Sequence, residues 1–590
     1  MNDAVRAAVP LSQPADAHSQ EEWEAATAAV LRKTGRLTSD DADSAVWDKL
    51  TRTSLDGLRI APLGLPGESY ADVQRPTRSG AWDIRSLVSG LSGMDAKAAN
   101  EAALVDLDGG VSSLWVAADE TTDLGVLLDN VLLDLAPIVL DAPIGAVKVA
   151  QNLLALIAER DAGMHAATNL GADPMGALLR DLPLAPDEAF SELVDLARLA
   201  EGIGVRAMVV DATAAHDLGA SDAQELGWSI AVGVAYLRAL TEAGFSPAVA
   251  AGLIEFRYAA TDEQFPTIAK LRAARQLWAR VLEVSGAEGV EMRIHAVSSR
   301  PMLSKYDPYV NMLRGTVAAF AAGVGGADSV TVLPFDSANG VPDRFGRRIA
   351  RNVSHLLIDE SHVAAVADPA GGSYAVESLT SDLAEAGWDA FVQLEDEWEG
   401  GHDFSPFRDR IAAVSAEREK AIARRKRPIT GLTEFPNLAE TLPERPADPL
   451  SERVARYGAS FEALRDAPAS TKVFLATIGT IAQHTARATF ATNLLAAGGI
   501  GVEVGGATAD AEEVVGKYRA AGAPAVVCLA GSDKTYAAWG AEAIAALREA
   551  GATHIIIAGK PDAVDAEVDD AASMGVDALA FLTATREKLS

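Results

Sequence analysis

Short apolar runs alternate with longer amphipathic stretches through most of this chain, and that alternation limits its fold more than any other feature. The strand candidates are Leu114–Ala118, Pro137–Ala142, His165–Leu170, Val205–Ala212, Leu253–Tyr258, Met292–Ser298, Val330–Phe335 and Val363–Ala367. Helical spacing fills the intervals, as in Ile144–Arg160, Asp187–Glu201, Ala223–Ala243, Phe265–Leu282 and Arg344–Leu357. Strand–helix–strand order implies parallel pairing through right-handed crossovers. About eight such units over roughly 250 residues suit a (β/α)8 barrel of the TIM type, and an open doubly wound sheet shares the same periodicity.

The alternation stops near Arg425. Prolines then crowd the chain at 428, 436, 443, 446, 449 and 468, which marks a linker with extended character. A second alternating block follows, with strands at Lys472–Ile478, Gly501–Val504, Ala525–Leu529, His554–Ile557 and Ala578–Phe581. Helices are expected between them at His484–Ala496, Ala511–Ala520, Tyr536–Ala550 and Val564–Met574, an arrangement that fits a flavodoxin-like domain. Ahead of the barrel, Glu21–Lys33 reads as a helix with Trp23, Ala26, Ala29 and Val30 in a short apolar stripe, able to pack on its own domain or to clasp a partner. The expected division is an arm over 1–43, a barrel domain over 44–426, a linker over 427–469 and the flavodoxin-like domain over 470–590.

Charge narrows the possible partners. Eighty-three acidic against 51 basic residues leave a net charge of −32, which repels phosphate backbones and anionic lipid. Neither nucleic acid nor a membrane is an expected partner. The first ten residues lack a basic segment followed by an apolar one, and Asp129, Asp134 and Asp141 interrupt the most apolar stretch, so a cytoplasmic protein is expected. The single cysteine, Cys528, allows neither an internal disulfide nor a multi-cysteine zinc site. Nine histidines without an H-x-x-x-H pattern argue against a metallohydrolase, and Ala322–Gly326 lacks the spacing of a phosphate loop.

Five stretches carry a specific resemblance: KLRAARQLWA at 270–279, DPYVNMLR at 307–314, RIARN at 348–352, DPAGGSYAVE at 368–377 and RPITGLTEFPN at 427–437. In this order they resemble the methylmalonyl-CoA mutase family, and the similarity runs from about Trp82 through the C-terminal block. Leu271, Leu277 and Trp278 within them read as packing residues. The resemblance implies a barrel that passes a CoA chain along its axis and a C-terminal domain that holds adenosylcobalamin against the barrel's top. The cofactor supplies the radical that interconverts methylmalonyl-CoA and succinyl-CoA, while the protein supplies ligation, orientation and a dry pocket.

Those supplies are missing at the matching positions. The family's D-x-H-x-x-G motif reads Ala482-Gln483-His484-Thr485-Ala486-Arg487, so His484 loses its orienting carboxylate and Arg487 replaces the glycine. The S-x-L motif reads Val527-Cys528-Leu529, and the Gly-Gly pair reads Ala558-Gly559. In the barrel the family's histidine position is Ala214, with His216 two residues later, and its glutamine position is Val297. If Trp82 is the family's tryptophan, its tyrosine and arginine positions are Thr77 and Gly80.

The resemblance therefore points to the smaller, non-catalytic member of the heterodimeric enzymes in this family. It implies no catalytic, cofactor-binding or metal-binding residues in this chain. Adenosylcobalamin is expected in a homologous large catalytic subunit, and acyl-CoA is expected to be bound by the complex. Two rivals remain: a self-sufficient mutase in which His216 and His484 serve as replacements, and an acyl-CoA binding module without turnover.

Overall fold

The computed structural model describes residues 13, 16–66, 78, 80–91, 95–398 and 403–589. Eight parallel strands close into a barrel: β1 (Asp83–Ser89), β2 (Ser113–Ala117), β3 (Ile138–Asp141), β4 (Asn169–Ala172), β5 (Arg206–Asp211), β6 (Ile254–Ala260), β7 (Ile294–Ser298) and β8 (Ser329–Thr331). Strand β8 pairs with both β7 and β1, through Ser329↔His295 and Ser329↔Asp83. Closure removes every open edge, and helices cover the outside.

Two of the expected barrel strands fall elsewhere. Val363–Ala365 is a short 3₁₀ turn, so the eighth strand candidate is not a strand. The strand it displaces is β1, whose DIRSLVS sequence places charged and hydroxyl groups among apolar ones and does not read as a buried strand. His165–Leu170 is also displaced, to β4 at Asn169–Ala172. There Gly171 stands at φ +76°, and a Cβ on it would lie 1.8 Å from the Leu140 carbonyl oxygen, so only glycine permits the irregular β4–β5 register.

The motifs of the resemblance are structural staples. Helices α1 (Asp222–Glu242), α2 (Gln264–Val284) and α3 (Tyr374–Trp398) pack together outside the barrel. On α2, Arg272 pairs with Asp368 and with Glu377 (2.7 Å), joining the first motif to the fourth. Lys270 reaches Glu225 at 2.6 Å and Asp222 at 2.8 Å on α1, and Trp278 packs edge-on to Phe256 of β6. Leu271, Leu277 and Trp278 are all buried.

The proline-rich segment is pinned rather than free. Arg445 pairs with Asp336 and Asp343, the Val341 amide donates to the Pro446 carbonyl, and the Ala455 amide donates to the Asp217 carbonyl at 2.7 Å. The strap thereby crosses the end of the barrel where the strands finish. Beyond it stands a parallel sheet of β9 (Val473–Thr477), β10 (Val502–Val504), β11 (Val526–Ala530), β12 (His554–Ala558) and β13 (Asp570–Ala572), ordered β10-β9-β11-β12-β13. This is the flavodoxin-like order. Its tail corrects the sequence reading: Val564–Met574 holds the last strand instead of a helix, and Ala578–Phe581 begins the final helix, Ala578–Leu589.

The arm helix, Gln20–Lys33, opens with a Ser19–Glu22 capping box. It packs against the short helix Val46–Leu50 around Ala28, Leu31, Leu37 and Val46, with Trp23 and Trp47 tilted 4.7 Å apart. This cluster is separate from the barrel core. Of the anticipated stripe, only Trp23 turns inward; Ala26, Ala29 and Val30 are exposed.

Candidate functional site

The C-terminal ends of barrel strands are where barrel enzymes build their sites, so the mouth beneath the strap comes first. Its floor is a charged layer. Trp115 of β2 and Arg257 of β6 come from opposite sides of the barrel, yet the guanidinium lies 4.1 Å from the indole centroid. Arg257 Nη1 donates to Asp141 (3.0 Å) and Asp211 (3.3 Å), and Trp115 Nε1 donates to Asp141 at 2.8 Å. His295 meets the Trp115 ring edge-on at 5.5 Å and hydrogen-bonds Thr331 through Nε2 at 2.8 Å. Arg257 Nε donates to its Nδ1, so Nε2 carries the proton. Burial and the nearby cations Arg85, Arg257 and Arg300 hold the His295 pKa well below the ordinary range, so the ring stays neutral.

Below this layer, Arg85 of β1 pairs with Glu255 of β6 at 2.5 Å. Two contacts that bridge the barrel therefore occupy its axis. Sequence reading assigns none of these residues a part in closing the barrel, and Asp141 figures only as an interruption of an apolar stretch. The available signal was a set of ionisable side chains, Arg85, Glu255, Arg257 and His295, inside strands that are otherwise apolar, because strands that line a packed barrel rarely carry charge without partners.

Ala214 lies on the short helix Thr213–Asp217 and lines a cavity of about 200 Å³ above the charged layer, together with Trp115, Asp141, Arg180, Asp211 and Arg300. His216 belongs to a different group: its Nε2 is 2.7 Å from Ser299 Oγ, and its Nδ1 is 3.3 Å from Glu225. Glu225 also receives Lys270 and the Ala259 amide, so His216 is one member of a buried network on the α1 side. Val297 is buried in β7, two residues after His295 and on the same face. Trp82 is buried, with its Nε1 donating to Ser354 Oγ, and Gly80 is exposed; Thr77 lies outside the described residues.

In the C-terminal domain, His484 sits in the first turn of the helix Ile481–Ala497, with Nδ1 3.3 Å from the Gly479 carbonyl. Arg487, one turn on, crosses the ends of β11 and β12. Its Nη1 donates to the Gly531 carbonyl (2.7 Å), its Nη2 meets Asp533 (2.5 Å), and its guanidinium covers the Tyr536 ring at 4.8 Å. A Cβ added to Gly559 would lie 3.3 Å from the guanidinium carbon. Tyr536 seals the gap further: its hydroxyl accepts from the Gly531 amide (3.1 Å) and lies 2.9 Å and 3.0 Å from the Leu529 and Ala558 carbonyls. Cys528 is fully buried in β11, and burial pushes its thiol up to about 12, which removes it from reactive chemistry. Among the described residues, no group of three His, Cys, Asp or Glu side chains could hold a metal ion, and no helix is long and apolar enough to cross a membrane.

Comparison with known proteins agrees with the resemblance. The family model described as methylmalonyl-CoA mutase matches residues 64–517. A methylmalonyl-CoA mutase small subunit from Streptomyces virginiae is 44% identical, with 97% of each chain covered. A probable small subunit from Mycobacterium bovis is 42% identical over 92% of each chain. The small subunit of Propionibacterium freudenreichii subsp. shermanii is 36% identical over 97% of this chain and 95% of its own. A protein named methylmalonyl-CoA mutase from Rhizobium meliloti matches only 30% of this chain, at 38% identity. With the closed barrel, the flavodoxin-like sheet and the stapling motifs in place, this chain belongs to the methylmalonyl-CoA mutase family.

Proposed function

We propose that this chain is the non-catalytic small subunit of a heterodimeric methylmalonyl-CoA mutase. In this reading a homologous large subunit binds adenosylcobalamin and performs the interconversion of methylmalonyl-CoA and succinyl-CoA, while this chain supports it in the cytoplasm. The observation that carries the reading is the contact of Arg257 with Trp115 across the barrel, with Arg85 and Glu255 paired beneath it. A CoA chain threaded along the axis would have to break both contacts and strand buried charges, which is costly. The residues of the C-terminal domain do not fit cobalamin either. Arg487, bonded to Gly531 and Asp533, fills the space a buried ligand tail would need, and Ala482 offers His484 no orienting carboxylate. No catalytic or cofactor-binding role is assigned to His216 or His484.

The supporting role has to reside in an interface, and the arm is its best candidate. Its small core packs apart from the barrel, leaving Ala26, Ala29 and Val30 exposed on one helix. Two measurements test the proposal. The purified chain, incubated with adenosylcobalamin and desalted, is expected to retain no corrinoid spectrum and to show no conversion of methylmalonyl-CoA; turnover by the isolated chain would overturn the reading. Deleting residues 1–43 is expected to leave the far-UV dichroism normal while weakening co-purification with the large subunit. Undiminished pairing would remove the arm from the interface.

A further inference from the structure

Beside the axis, and sharing Arg300, Leu450 and Val454 with the smaller cavity above the charged layer, the structure holds a cavity of about 420 Å³. It lies between the end of β1, the helix Ala96–Asp108 and the segment after β8, and the strap from Pro446 to Arg456 roofs it. A volume of this size falls within the roughly 300–1,000 Å³ common for small-molecule sites. Its wall is mainly apolar, through Leu87, Val88, Leu303, Leu333, Val341 and Val454.

The polar groups on that wall are few and unequal. Arg347 is committed to the Leu87 carbonyl, Ser86 and Asp106, and Arg456 to Glu462. Asp95 and Asp448 accept backbone amides, Lys97 and Ala98 for the first and Leu450 for the second. Ser337 donates to the Pro334 carbonyl. Arg347 also keeps a buried Nε without a partner among the described residues, although its charge is met by Asp106. Two further groups have donors to spare. Arg300 gives Nη1 to Asp217 at 3.2 Å and stands 5.4 Å from the Trp115 ring, and its Nε and Nη2 have no hydrogen-bond acceptor among the described residues. Ser89 keeps a buried Oγ that likewise has no partner among them. A buried hydroxyl without a partner, as at Ser89, is expensive to maintain unless something polar meets it, and Arg300 on the same wall supplies a positive charge.

We propose that this cavity binds a monocarboxylate with an unbranched apolar chain. Arg300 and Ser89 hold the carboxylate, and the chain lies along Leu303, Leu333 and Val454 beneath the strap. A guanidinium matches a carboxylate in geometry and charge, while the apolar wall gives affinity to the chain but none to a small inorganic anion. The site shares Arg300 with the cavity above the charged layer but requires no opening of the Arg257–Trp115 contact and nothing from the C-terminal domain, so it does not depend on the non-catalytic reading.

Calorimetry on the full chain tests it with three probes: octanoate, octanol, which lacks the charge, and acetate, which lacks the chain. Octanoate is expected to bind one to one, at least tenfold more tightly than either of the others. Arg300→Gln should bring octanoate down to the level of octanol without changing octanol. Ala99→Phe, which fills the cavity from the helix side, should weaken both at least tenfold in a protein that melts normally. No saturable octanoate binding, equal binding of octanoate and octanol, or binding that survives Ala99→Phe would each overturn the proposal.

Discussion

The barrel axis and the sheet edge of the C-terminal domain are both closed by an arginine, but the two arginines stand in opposite energetic positions. Arg257 is fully buried, stacked on Trp115 and paired with Asp141 and Asp211, so its charge and theirs are mutually dependent. The Arg487 side chain keeps 28% of its surface exposed and bonds one carbonyl, that of Gly531, and the exposed Asp533 carboxylate, where water can replace it. A buried ion cluster becomes part of the fold, whereas an arginine laid over an edge only occupies space. Closure of the barrel is therefore built in deeply, and closure of the sheet edge is superficial.

The sharpest way to break that comparison is Arg257→Met. Losing the cation leaves Asp141 and Asp211 buried without it, and the expected destabilisation is about 3–5 kcal/mol by denaturant titration. A loss near that of a surface substitution would mean the layer is not an energetic unit.

The same layer has a titratable neighbour. Asp173, deep beside Asp211, receives the Tyr236 hydroxyl at 2.6 Å, while its Oδ2 has no partner among the described residues. Burial, with Asp211 nearby, pushes its pKa up to about 7. A raised carboxyl pKa stabilises the fold at low pH, and that contribution is lost as pH rises through about 7. Asp173→Asn should therefore gain stability over the parent between pH 5 and pH 8, on the order of 1 kcal/mol. Equal differences at both pH values would show that the carboxyl does not titrate near pH 7 in the fold.

At the sheet edge the expected effects shrink. Arg487→Ala should cost no more than about 1 kcal/mol, and without a carboxylate at Ala482 the variant should still retain no corrinoid. A cost approaching that of Arg257→Met would erase the contrast between the two regions. Smallest of all, His484→Ala should leave the corrinoid content of the assembled complex unchanged. A large loss at unchanged stability would show that the imidazole does reach the cofactor.

Much of the architecture was legible in the order of residues. Helical spacing over Ala223–Ala243 and Phe265–Leu282 corresponds to α1 and α2 within two residues at each end, because long periodic segments average over local exceptions. The failures have a common physical origin. Strand β1 carries Asp83 and Arg85, and such residues count against burial unless their partners, Ser113 and Glu255, are known. Val363–Ala367 shows the converse, an apolar run too short and too isolated to find a neighbouring strand. At the tail, Asp570–Ala572 is a strand through its pairing with Ile556–Ala558, which its own composition does not announce.

By itself the sequence determined the alternating plan, the family motifs and which residues stand at Ala214, Val297, Ala482 and Arg487, because residue identity and spacing are local properties. Only the tertiary structure decided what surrounds those residues. It joined Arg272 to Asp368 and Glu377 across about a hundred residues, laid the strap over the barrel mouth, and brought Trp115 from β2 against Arg257 from β6. Whether a charge in a strand is a liability or a keystone depends on the atoms opposite it, and in a closed barrel those atoms come from the far side of the chain.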